Sequence, residues 1–264
     1  PEQNLLILSC TNKNHIMEKN EALFLGELPE EKQKTWYRER VAFRDVIVRR
    51  SGNAPSNYAL DLTTKALQSL LIQGPVNVDL SGVEWMQVCD GVEFLKDIKL
   101  FVHNCPHAAC AYMGYAKGYT TTQDAERDGE IAALMKGCLA EASEGIREEF
   151  HPTLEQLEIV GCSMKAKDDE VERISRVAEN PIRKLGRHDR LTGAAMYCLK
   201  HGIEPVNIAK AIAYGLAYDD MEDPNAVRMQ EMIAEKGIRP AAAQILGISE
   251  DEKLMNMVME EYDK

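Results

Sequence analysis

No stretch of this sequence approaches the roughly 20 consecutive apolar residues that a membrane-crossing helix needs; the apolar runs are short pieces such as Leu5–Leu8. No membrane association is expected. Positive charge is scarce, with 31 Lys and Arg against 43 Asp and Glu and a formal charge of −12, so a nucleic-acid backbone or an anionic lipid surface is repelled overall. Nucleic acid is excluded as an expected partner. Cysteine occurs seven times, at 10, 89, 105, 110, 138, 162 and 198, without the close pairs of a zinc site or the density of a secreted disulfide scaffold. Reduced thiols, no metal site and a cytoplasmic protein follow as expectations. After Pro1 there is no charged-then-apolar leader, so no signal peptide is read. The apolar run at Leu5 starts so early that the chain is expected to be a fragment of a longer parent.

What is present is a globular composition: 264 residues, 45% hydrophobic and 28% charged, enough for one large core or two modest ones. Up to about residue 90, short apolar runs alternate with breakers. Asn4–Cys10 reads as a strand, Glu30–Ala42 as a helix and Val46–Arg49 as a strand, with Pro55, Gly74, Pro75 and Gly82 as punctuation. Beyond it, helical periodicity with Gly and Pro stops predicts helices over Gln123 to Ile146, Thr153 to Cys162, Leu191 to Lys200, Val206 to Leu216 and Asn225 to Glu235. The expected fold class is mainly α: the trailing part of an α/β, Rossmann-like domain over 1–90, then an all-helical domain over 91–264. A helical repeat array is the rival architecture, although no 20–50-residue period recurs. Asp124, Glu126, Asp128 and Glu130 crowd the expected start of the 123–146 helix, where negative charge suits the dipole.

The segment from Lys99 to Gly114, Lys-Leu-Phe-Val-His-Asn-Cys-Pro-His-Ala-Ala-Cys-Ala-Tyr-Met-Gly, places an amine, a carboxamide and an imidazole in one small-residue helix. At about 100° per residue, Lys99, Asn104 and His107 project at roughly 0°, 140° and 80°, to one side of a continuous helix. Should Pro106 break the helix, it restarts near that residue with Asn104 close to an N-cap role. These types suit hydride transfer between an alcohol and a carbonyl: a desolvated lysine takes the hydroxyl proton, an amide steadies the developing oxyanion, and the histidine holds a neighbouring hydroxyl. On spacing alone, a surface lysine, an N-capping asparagine and a satisfied histidine account for them more readily.

Lys99-x4-Asn104-x2-His107 followed by Ala-Tyr-x-Gly resembles the signature of the long-chain polyol dehydrogenases, a family that includes mannitol dehydrogenases, mannitol-1-phosphate 5-dehydrogenases and hexuronate reductases. The resemblance implies Lys99 as catalytic base, Asn104 in the oxyanion site and His107 as substrate ligand. Ser9-Cys10-Thr11-Asn12 is similar to the family's Ser-Cys-Asp-Asn, which makes Asn12 a second oxyanion or substrate ligand. Asp45, in Phe43-Arg-Asp-Val-Ile-Val48, matches the Asp of Asp-Arg-Ile-Val, with Val46 where the family has Arg. Arg176-Val-Ala-Glu-Asn-Pro181-Ile-Arg183-Lys184-Leu-Gly-Arg-His-Asp189-Arg190-Leu191 is similar to the phosphate-sugar members' Arg-Val-x-Arg-Asp-Pro-x-Arg-Lys-Leu-x-x-x-Asp-Arg-Leu, so Arg176, Arg183 and Lys184 are the implied substrate-binding cations. A basic cluster in an acidic protein is what capture of an anionic sugar phosphate requires.

Departures from the pattern bear on substrate choice. His103, Cys105 and Pro106 replace the usual residues of the phosphate-sugar motif, and Cys162–Lys167 lacks the family's Arg-Phe-x-Asn-Pro. Lys96 stands where non-phosphorylating members carry Glu, and Asp97 where the phosphate members place their acid, which favours the phosphate branch. No Gly-x-Gly-x-x-Gly occurs, although the family holds its NAD cofactor on such a turn. The resemblance therefore implies an NAD-dependent oxidoreductase acting on a small sugar alcohol or sugar phosphate, of the mannitol 1-phosphate/fructose 6-phosphate type, with the cofactor-binding residues undetermined. Free polyol 2-dehydrogenation or hexuronate reduction is the alternative within the family. A non-catalytic helical binding protein that kept the fold is the alternative outside it.

Overall fold

The apolar run Leu5–Ser9 forms strand β1, followed by α1 (Met17–Gly26) and α2 (Glu31–Arg40). Glu30 and Gln33 start α2 with a reciprocal capping box. It stops two residues short of the expected Ala42 because β-branched Val41 turns extended and opens strand β2 (Val41–Val48). Helix α1 carries no side-chain cap, which is why no start signal marked it. A short ribbon of β3 (Gly52–Asn53) and β4 (Thr63–Thr64) precedes β5 (Leu70–Gln73) and β6 (Met86–Cys89). The computed structural model describes residues 3–11, 13–48, 52–53, 63–64, 69–161 and 172–264 and divides into two units, Pro1–Asp97 and Ile98–Lys264.

In the first unit the sheet order is β1-β2-β5-β6. β1 runs parallel to β2 with Ser9 opposite Asp45, β2 is antiparallel to β5, and β5 is parallel to β6. Val46, Leu70 and Ile72 form its buried centre, with Leu8, Val48, Val76, Leu80 and Met86 packed around them. A cis Gly74–Pro75 peptide follows β5.

Helix α3 (Val92–Ile98) carries the chain out of the first unit, which ends at Asp97, and a π-helical turn (Lys99–His103) and α4 (Asn104–Ala116) follow it without an intervening residue. The second unit is helical. The remaining helices are α5 (Thr122–Ala125), α6 (Gly129–Phe150), α7 (Leu154–Gly161), α8 (Ile174–Ala178), α9 (Pro181–Lys184), α10 (Thr192–Lys200), α11 (Val206–Leu216), α12 (Pro224–Lys236), α13 (Ile238–Leu246) and α14 (Lys253–Tyr262). Helix α4 is buried almost all round, from Cys105 and Pro106 to Gly114, the pattern of a central core helix. Its small residues let α6, α8 and α11 approach closely: a methyl group on Gly114 would lie 2.8 Å from the Ile174 Cδ1 of α8.

The expected Gln123–Ile146 helix is in fact two. Thr121 caps the short α5, and Asp128, accepting from the Glu130 and Ile131 amides, caps α6. The acidic residues thus serve two helix starts; Asp128 in particular stops the chain and restarts it. The expected Thr153 to Cys162 helix is observed as α7 (Leu154–Gly161), with Cys162 outside the described residues. Among the described residues no helix is long and apolar enough to cross a membrane.

Candidate active site

Pro106 has no N–H to give and its ring crowds the carbonyl four residues back. The helix does not break there. It widens just upstream instead, and the Asn104 amide donates to the Lys99 carbonyl, five residues away. The 100° projection therefore does not apply to this turn: Lys99 and Asn104 stack one π turn apart, and His107, one α turn further, continues the same face. Asn104 is the first residue of α4, with His103 at the cap position, so its carboxamide does not serve as an N-cap. Lys99, Asn104 and His107 are each half-buried. Between them Phe101 and Val102 are buried and anchor the turn; the Phe101 ring meets Tyr197 edge-on at 5.3 Å.

His107 is engaged by a residue that no sequence spacing marks. Its Nε2 lies 3.0 Å from Oε2 of Glu172. Glu172 is pinned to the segment that follows α4: its amide donates to Gln123 Oε1 at 3.1 Å and its carbonyl accepts from the Thr122 amide at 2.9 Å. Arg173 bridges to Thr121, and the Ile174 amide donates to Thr120. Arg176 lies on α8, whose terminal carbonyls are held by Lys184: Nζ donates to Val177 O at 2.7 Å and to Arg176 O at 3.3 Å. Burial, with Arg190 and Arg183 adding repulsion, pushes the Lys184 amine down to about 8. Arg183 and Arg190 share the Asp189 carboxylate at 2.9 and 2.8 Å. Structure thus ties Lys184 to the end of α8 beside Arg176, and gives Arg183 an internal carboxylate partner.

In the first unit, Asp45 is buried on β2, and its Oδ1 accepts from Lys96 Nζ at 2.5 Å and from the Val46 amide at 3.0 Å. Its Oδ2 is buried without a hydrogen-bond partner. Lys96, which stands where non-phosphorylating members of the family carry Glu, is thereby the counter-ion of a predicted substrate ligand. Asp97 accepts from Asn14 Nδ2 at 2.5 Å and pairs with His15 Nε2 at 2.8 Å, while His15 Nδ1 faces Glu93 at 3.1 Å. Burial holds the Asp97 carboxyl above the usual carboxylate range, with the Asn14 and His15 contacts pulling against it. A cavity of about 580 Å³ opens here, lined among others by Asp45, Arg44, His15, Gln73 and Glu93. Asn12 lies outside the described residues.

A pyrophosphate cradle requires a strand-to-helix turn whose glycines let backbone amides approach the anion. The β1-to-α1 connection, residues 10–16, contains no glycine, and α1 begins at Met17 with Ile16 at the cap position making no side-chain cap. These residues do not fit the phosphates of NAD. Among the described residues no group of three or more His, Cys, Asp or Glu side chains can hold a metal ion.

Comparison with known proteins converges on one family. Residues 92–264 match the family described as mannitol dehydrogenase C-terminal domain. A mannitol-1-phosphate 5-dehydrogenase of Bacillus licheniformis is 37% identical over 187 residues, covering 69% of this chain and 48% of that protein. One from Caldanaerobacter subterraneus is 33% identical, over 66% of this chain and 47% of that protein, so the chain spans about half the length of these two relatives. One from Bacillus pumilus is 31% identical over 278 residues, covering 99% and 70%. Among solved structures, the Pseudomonas fluorescens mannitol 2-dehydrogenase ternary complex with NAD and D-mannitol superposes with a TM-score of 0.75 at 16% identity, covering 98% of this chain and 59% of that one. A substrate-free D-sorbitol dehydrogenase gives 0.69 at 17% identity, covering 98% and 60%; both share the fold. With a family match over most of its length and a relative of above 30% identity covered across more than two thirds, this chain belongs to the mannitol dehydrogenase family.

Proposed function

We propose that the chain is the substrate-binding and proton-handling part of an NAD-dependent polyol-phosphate oxidoreductase, of the type that interconverts mannitol 1-phosphate and fructose 6-phosphate. On this reading residues 1–90 are the trailing part of the cofactor domain and 91–264 the substrate domain. The observation that carries it is the π turn. It puts an amine, a carboxamide and an imidazole on one helix face, on the positions of the family signature. Lys99 Nζ removes the hydroxyl proton, the Asn104 carboxamide donates to the oxygen as negative charge builds on it, and His107 orients a neighbouring hydroxyl. NAD supplies the hydride acceptor; since the present residues do not cradle its phosphates, their own contribution is the proton chemistry and substrate capture. Arg176, Arg183 and Lys184, with Arg190 beside them, carry the anion-binding charge.

Relatives named as mannitol-1-phosphate 5-dehydrogenases support the phosphate branch. The internal engagement of Arg183 by Asp189 and of Lys184 by backbone carbonyls favours, as a second reading, a substrate without a phosphate, a free polyol or a hexuronate. Steady-state assay of the full-length protein with mannitol 1-phosphate, mannitol and fructuronate side by side separates the two. Phosphate preference supports the first reading, and equal or better turnover of mannitol or fructuronate the second. Lys99→Ala is expected to lower the rate by about 10²–10⁴, the usual worth of a general base; an unchanged rate removes Lys99 from that role.

A further inference from the structure

We infer that Glu172 is a positioning residue that sets the tautomer of His107. The inference rests on the reading of His107 as a substrate ligand and adds the hydrogen-bond sense in which it acts. Oε2 of Glu172 lies 3.0 Å from Nε2, an ion-pair contact in which the carboxylate's negative charge repels a ring lone pair and attracts an N–H, so Nε2 carries the hydrogen. In the neutral ring that leaves Nδ1 as a bare lone pair, an acceptor for a hydroxyl hydrogen rather than a donor. The same ring in the other tautomer would offer an N–H to the substrate and hold a hydroxyl oxygen instead.

The arrangement is built to keep the carboxylate in place. Both backbone polar groups of Glu172 are bonded to the 122–123 segment, on Gln123 and Thr122. The next residues, Arg173 and Ile174, are bonded to Thr121 and Thr120. That segment continues directly from α4, the helix that carries His107, so ring and carboxylate share one support. With 15% and 25% of their side chains exposed, the two groups are shielded enough for the contact to hold its geometry. At metal-ligating histidines an outer partner of this kind fixes the ring's tautomer and orientation, and its loss typically costs about 10–100-fold; the same charge logic applies to His107.

The test uses the 264-residue chain labelled with 15N, at about pH 8 where an ordinary imidazole is neutral. Long-range 15N–1H correlation spectra read the two ring nitrogens, and His107→Gln identifies the His107 signals by their loss. The expected wild-type pattern is a protonated Nε2 and an unprotonated Nδ1. Glu172→Gln keeps the shape but can donate as well as accept, so the two nitrogen shifts move toward each other while the rest of the spectrum is preserved. A wild-type ring protonated at Nδ1, or ring shifts unchanged in Glu172→Gln, overturns the inference. In the full-length enzyme Glu172→Gln is then expected to lower kcat at least tenfold with KM for mannitol 1-phosphate within about twofold, and an unaltered kcat also overturns it. A wild-type enzyme inactive on polyols and polyol phosphates defeats the dehydrogenase reading alone, and the ring spectra still decide the role of Glu172.

Discussion

Lys184 holds an ammonium group at 7% exposure, against two backbone carbonyls and beside two arginines, and the charged form suffers for it. As pH rises through about 8, the folded protein releases this proton while the unfolded chain, with an ordinary lysine, keeps it. Between there and the usual lysine range the unfolded state binds more protons, so this group's contribution to stability rises with pH. The unfolding free energy of wild type relative to Lys184→Met, measured in urea, is expected to grow by on the order of 2 kcal/mol between pH 8 and pH 10. A difference that stays flat shows that the amine is not desolvated. At this scale, residue identity pointed to Arg176, Arg183 and Lys184 as a basic cluster. It did not show that Asp189 engages Arg183 and the end of α8 engages Lys184, because those partners come from side-chain and backbone positions that the fold alone brings into range.

Among the elements, the π turn matters most. Lys99 and Asn104 are five residues apart, a spacing that an α-helix sends roughly 140° apart and a π turn, bonded from one residue to the fifth beyond it, brings to one face. Pro106 was legible as a disturbance, but breaking and widening are both responses to it, and packing selects between them. Buried Phe101 lies against Gly193 of α10 so closely that a methyl there would sit 2.5 Å from its Cε1 and 3.2 Å from the Arg187 carbonyl. Tyr197 blocks the ring from one side. Gly193→Ala is therefore expected to destabilise the protein by about 1–3 kcal/mol through overpacking, read as a lower urea midpoint. An unchanged midpoint shows that the ring moves aside freely.

For the whole molecule, charge and architecture point the same way. A chain of net charge −12 does not attract anions in general, so any anionic substrate must be captured by a local cluster, as proposed around Arg176 and Arg183. The cofactor is another matter, since nothing in residues 10–16 resembles a pyrophosphate turn. Isothermal titration of the 264-residue chain with NAD is expected to give a dissociation constant no tighter than about millimolar, where the binding free energy is roughly −4 kcal/mol. Micromolar binding shows that a cofactor site lies among these residues.

From the amino acids alone came the family signature at Lys99, Asn104 and His107, the passage from mixed α/β to helical structure, and helices as sharply bounded as Val206–Leu216. These are properties of neighbouring residues: periodicity, breakers and spacing act within a few turns of chain, where local sterics and burial patterns dominate. Tertiary structure decided the rest. The Lys96–Asp45 pair joins residues 51 positions apart, and the Glu172–His107 pair joins two elements that share no local pattern. The alignment of the signature residues depends on how the helix widens at Lys99 under the packing of Phe101. Partners brought together by long-range packing leave no spacing to read, because the buried surface that holds them is contributed by many distant residues at once.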